Sequence, residues 1–145
     1  MIFIIVSLIL VIIAASGDAL QDTLSHHFDT SVFSNITKWN LLKKVPYRQK
    51  VKLYKWVNPK YSSDNKWKDY KKENGERFPF SSTILVFVTD AWHLAQFIQL
   101  NALFLLALTF SYTDGNTLFK LIILGLYKII YGLWFEYLYA NKFIK

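Results

Sequence analysis

Three histidines occur in the 145 residues, and each stands near an acid: His26 and His27 precede Asp29, and His93 follows Asp90 by three positions. On a helix, positions i and i+3 project from neighbouring faces, so Asp90 and His93 can offer an oxygen and an imidazole nitrogen to one proton or one cation. Asp18 and Glu136 stand near the ends of two other apolar runs. Carboxylates with imidazoles suit a divalent metal such as Zn, Fe or Mn that keeps positions open for water or substrate, with Asp18, His26, His27, Asp90, His93 and Glu136 as candidate ligands. The same residues also read as structural, with Asp90 capping a helix, His93 bonding a neighbouring helix and the His26-His27 pair at an interface. A third reading is proton or ion passage through an oligomer, because ionisable groups within membrane helices mark such paths. With no HExxH, no Gly-rich phosphate loop and no cysteine, the sequence excludes zincin-type hydrolysis, P-loop nucleotide binding, thiolate metal sites and disulfides.

Three apolar runs must position these groups. The first, residues 2–20, measures ~28 Å as a helix, enough to cross a hydrocarbon core. Two outcomes are open for it: retention as a span, or cleavage as a signal peptide at the small residues Ala14, Ala15, Ser16 and Gly17. The lack of Lys or Arg before the apolar core favours retention. The second run, 82–111, reaches ~45 Å if wholly helical, so it must tilt, protrude or break, and Thr89-Asp90 is the expected break because Asp caps helices. Counted from Ser82, Asp90 and His93 lie ~12 and ~16 Å along that helix. The third run, 118–140, carries Lys128 near mid-depth, which needs a partner such as Asp90 or Asp114, or snorkels. Its Gly125 and Gly132 form a small-residue seam where a second helix, including one from another copy, can approach.

The stretch between the first two runs is different in kind. Thirteen of the 17 Lys and Arg lie between Ile36 and Arg77, with only four acids among them, so the net charge of +7 belongs to this one loop. Its aromatics alternate with lysines, the composition of a surface lying on anionic headgroups, and Trp39, Lys43, Lys44, Arg48, Trp56, Lys60, Trp67 and Lys68 are the expected membrane-surface set. Single-stranded nucleic acid fits the same composition less well, since a tethered loop already faces an anionic leaflet. An Asn74-Gly75 turn and a loosely alternating segment at 45–57, readable as a hairpin arm, are the local signals within it. The positive-inside rule places this loop and the carboxyl terminus in the cytoplasm, with the amino terminus outside, in a multi-pass cell (inner or plasma) membrane protein.

From Trp56 the chain reads WVNPKYSSDNKW and then GERFPFSSTILVFVTDAWHLAQF. This resembles a group of small bacterial and phage membrane proteins with the pattern WNPxxSxxNKW, a Ser/Thr-rich start and TDxWH. Here Val57 separates Trp56 from Asn58, and Tyr61 precedes Ser62. The resemblance implies a shared architecture and polar residue set, without an assigned reaction. The sequence thus predicts a single all-α membrane domain over 1–145, with three transmembrane helices and a basic, aromatic cytoplasmic loop between the first and second. An accessory or structural role, a metal-dependent enzyme on an interfacial, lipid-like substrate, and an oligomeric conduit are the functional expectations.

Overall fold

The computed structural model describes residues 2–112 and 115–144. It is helical, with no strand among the described residues, and three of its helices are long and apolar enough to cross a membrane. Helix α1 covers Ile2–His26, α2 Tyr47–Val57, α3 Ala91–Ser111 and α4 Thr117–Leu138, the last running on into a π turn at Tyr139–Phe143.

α1 is the centre of the bundle, since α3 and α4 each pack along it. Small residues allow this: Ser7, Ala14, Ala15, Gly17 and Ala19 of α1 are buried, as are Ala91, Ala95 and Ala102 of α3. In hydrocarbon, where lipid tails are as apolar as leucine, helices associate through close van der Waals approach and interhelical hydrogen bonds. Both appear here. Ser7 and Thr109 hydroxyls meet at 3.0 Å, and a methyl group on Gly17 would come within 2.9 Å of Ala95 O. Large apolar side chains, among them Ile5, Ile9, Leu100, Phe104, Leu121, Ile129 and Leu133, point outward, as lipid-facing surfaces require. Cleavage near Gly17 would remove the helix on which the other two pack.

Two boundaries differ from the sequence expectation. α1 does not stop at Leu20 but continues to His26, with Thr23 Oγ1 donating to Ala19 O at 2.7 Å. The second span starts late. Residues 81–89 form turns and a 3-10 turn at Val86–Val88, and α3 begins only after Asp90, whose carboxylate accepts the His93 N–H at 3.0 Å. The expected break at Thr89-Asp90 is therefore where the helix starts, and the remaining 21 residues span ~32 Å, close to a hydrocarbon core. Among the described residues, a Cβ at Gly125 or Gly132 would meet nothing within 4 Å, so the seam packs on no neighbouring helix there. Lys128 is exposed on α4 and closes no ion pair among the described residues, while Asp114, one expected partner, lies outside them.

The loop folds on the ends of α1 and α3. Leu24, Phe28, Ile36, Val57 and Ala91 form its core, covered by Phe33, Leu53, Tyr54 and Trp92. Residues 47–57 form a helix rather than a hairpin arm, because Val51, Tyr54 and Val57 recur at helical spacing among the helix formers Arg, Gln, Lys and Leu. The Asn74-Gly75 turn forms as expected, with Gly75 at φ 77° and an antiparallel bridge between Trp67 and Glu76.

The carboxylate of Glu76 holds the chain that follows. Its Oε2 accepts the Phe80 N–H at 3.0 Å, and its Oε1 accepts both the Ser82 N–H at 3.1 Å and the Ser82 hydroxyl. The Ser82 hydroxyl first, then the Ser82 amide, hold this carboxyl below its ordinary 4.5. A lowered folded-state value means that the turn's contribution is complete above the ordinary value and is lost as pH falls through the lowered one. Amide protection at Phe80 and Ser82 should therefore hold from neutrality down to the ordinary value of 4.5 and fade only below it, and Glu76→Gln should abolish that transition. Fading already near about pH 6 would contradict the assignment.

Candidate functional site

The site begins with a loop serine, a cap residue and the first turn of α3. Asp90 is 2% exposed, and its two oxygens are fully engaged. Oδ1 accepts the His93 N–H; Oδ2 accepts the Ser62 hydroxyl at 3.0 Å and lies 2.7 Å from His93 Nδ1. Thr89 Oγ1 stands 3.0 Å from the same oxygen and 2.6 Å from Val86 O, its single proton serving one of them. Ser62 Oγ is also 3.4 Å from His93 Nδ1. A carboxylate facing Nδ1 selects the tautomer with the proton there and leaves Nε2 as the open nitrogen. Among the described residues Nε2 has no hydrogen-bond partner, and the side chain is 18% exposed. The Trp92 ring packs edge-on to the imidazole at 5.0 Å, and its Nε1 donates to Ser25 Oγ at 2.8 Å, tying the end of α1 to the start of α3.

This arrangement can bind one proton or give one ligand bond. It is not a Ser-His-Asp nucleophile relay, because Ser62 lies on the Nδ1 side with the carboxylate, whereas a relay needs the hydroxyl at Nε2.

The other expected ligands lie elsewhere. Tyr131 donates to Asp18 Oδ2 at 2.8 Å, Gln99 donates to Tyr131 at 3.2 Å, and Gln21 donates to Gln99 Oε1, a network that joins all three spans. His26 Nε2 sits 3.8 Å from Asp22, His27 packs edge-on against Tyr139, and Glu136 is exposed on α4. Among the described residues no three of His, Asp and Glu gather as a metal site. The reason is the extra length of α1. Eight helical residues carry His26 ~12 Å beyond Asp18 instead of letting the chain fold back over it.

The expected membrane-surface residues divide likewise. Lys43, Lys44, Arg48, Lys60 and Lys68 are exposed. Trp39 and Trp56 turn inward against the loop core, donating to Val32 O and Val88 O, both at 3.2 Å. A loop of this size needs large rings to cover its small core, and indoles do so while satisfying their N–H. Trp67 is half-buried beside Arg48 and Lys68.

Ser62 and Tyr131 join the polar clusters without having been singled out from sequence. Ser62 carried a signal, since it lies within WVNPKYSSDNKW. The structure shows what other polar residues of that stretch do: Asn58 accepts the Lys60 N–H at 3.0 Å and donates to Tyr54 at 2.8 Å, and buried Asn65 donates to Lys55 O at 3.0 Å. They hold the loop in shape.

Fold and site together define an all-α, multi-pass membrane protein whose folded basic loop is clasped to its bundle at Asp90. Comparisons of the chain with family models, with curated proteins and with solved structures found no match.

Proposed function

We propose that this chain is an accessory membrane protein whose basic, aromatic loop forms a platform on the anionic cytoplasmic face of the cell membrane. One observation carries this reading: the folded loop leaves large apolar side chains standing outward among its lysines. Leu41 is 89% and Tyr47 78% exposed, close in sequence to Lys43, Lys44 and Arg48, and Phe80 and Ile84 stand out beside them in exposure. In water such side chains gain nothing, whereas at the headgroup layer rings and leucines enter the boundary and lysines meet anionic lipid. The Asp90 knot supports the same role, since a platform clasped to its spans keeps one orientation to the bilayer.

Because the chain has no cysteine, single cysteines report cleanly. Leu41→Cys carrying an environment-sensitive dye should emit blue-shifted light in proteoliposomes containing phosphatidylglycerol and be quenched when that lipid is brominated. In intact cells, Lys43→Cys should resist a membrane-impermeant maleimide until the membrane is opened. Water-like emission at Leu41 whatever the lipid, or labelling at Lys43 in intact cells, refutes the platform or its side, respectively.

A further inference from the structure

Two separate segments of the loop bring four cations to one open groove of about 470 Å3. Arg48 and Lys52 come from α2, and Lys68 and Arg77 from the two sides of the Asn74-Gly75 turn, with Trp67 and Tyr70 as aromatic walls. The hairpin sets the last two side by side: Lys68 N–H donates to Gly75 O at 3.0 Å, and Arg77 N–H to Lys66 O at 2.9 Å.

Little among the described residues neutralises this set. Among the described residues, none of the four forms an ion pair. The groove contains one carboxylate, Asp69, and the neighbouring Glu76 is spent on Phe80 and Ser82. A further cation, Lys55, stands 4.1 Å over the Tyr70 ring, which adds positive potential at the wall. The wall itself is held in an unfavourable backbone conformation, since Asp69 and Tyr70 have φ of 51° and 61°. Gathering like charges is unfavourable unless an anion joins them, and paired arginine forks match phosphate oxygens with two parallel hydrogen bonds each.

We infer that the groove between Arg48, Lys52, Lys68 and Arg77 binds the phosphomonoester headgroup of a membrane lipid. Four cations against one acid favour a dianionic phosphate over a singly charged diester. The groove also continues past Arg48 and Lys52 to Tyr47 and Val51, and the exposed Tyr47 ring at that end gives an apolar rim where acyl chains would lie. A lipid-borne phosphate thus fits better than a free one. The inference rests on the platform reading and gives it a specific ligand.

Calorimetric titration of the full chain in neutral detergent tests it with three probes: dioctanoyl phosphatidic acid, dioctanoyl phosphatidylglycerol and inorganic phosphate. Saturable binding of the phosphatidic acid at one equivalent is expected, at least about tenfold tighter than phosphatidylglycerol, with inorganic phosphate weaker still. Arg48→Gln with Arg77→Gln should weaken it by about thirtyfold, whereas Lys38→Gln with Lys142→Gln, removing equal charge at exposed positions outside the groove, should change it less than about twofold. Arg48→Lys with Arg77→Lys, which keeps the charge and so protects folding, should still cost about fivefold through loss of the forks. Equal weakening by the two glutamine pairs overturns the site in favour of diffuse attraction. Equal affinity for the two lipids overturns the dianion assignment, and inorganic phosphate binding as tightly overturns the lipid assignment. Any of these failures leaves the Leu41 dye result standing, so the site and the platform are judged separately.

Discussion

Asp90→Ala should release the loop from the spanning bundle at a cost of about 3 kcal/mol. Loss of a helix cap alone costs about 1 kcal/mol. The remainder comes from Ser62 and His93, whose donors face the carboxylate in a site nearly closed to water and would be left without an acceptor. Asp90→Asn keeps the cap oxygen and puts an NH2 donor in place of Oδ2, from which the Ser62 oxygen or a His93 Nδ1 that has passed its proton to Nε2 can accept, so a loss of about 1 kcal/mol is expected. Hydrogen exchange in detergent locates the effect. Amides at 58–65 and in the first turn of α3 should lose protection, while the middle of α1 keeps it. Unchanged exchange and an unchanged unfolding midpoint in Asp90→Ala would show that the clasp contributes nothing.

Gly17→Leu should disrupt the bundle by about 3 kcal/mol or more. The first added carbon already meets backbone, 2.9 Å from Ala95 O and 3.2 Å from Gln99 N, and backbone cannot swing aside as a side chain can. Parting α1 from α3 also pulls Gln21 from Gln99, and with it the contact from Gln99 to Tyr131. Gly132→Leu is the internal control, because a Cβ there meets nothing within 4 Å, and its effect should stay within about 0.5 kcal/mol. Reversible unfolding in mixed micelles, followed by circular dichroism, compares the two. Equal effects would mean that α1 and α3 do not touch at Gly17.

The three spans were legible from apolar length alone, and the interruption at Asp90 from the kind of residue there, though not that the helix would only start beyond it. The Asn74-Gly75 turn was likewise legible, since these features depend on local chemistry. What local pattern does not contain is the choice of distant partners. Asp18, expected beside His26 and Asp90, instead bonds Tyr131, 113 positions away in the chain. The distinction lies in depth and rotation of packed helices, which small residues such as Gly17 and Ala95 decide. Trp39 and Trp56 show the other limit: an indole suits a headgroup layer and a small core equally well, and only the folded loop decides between them.

The central place of α1 has a consequence for biosynthesis. The helix on which both others rest leaves the ribosome before either of them, and the hydroxyl that satisfies Asp18 follows 113 positions later. At ~5–20 residues per second, that interval lasts roughly 6–20 seconds. Throughout it the carboxylate, near the loop-side end of the span, waits without its partner hydroxyl, and water at the bilayer surface can serve until Tyr131 arrives.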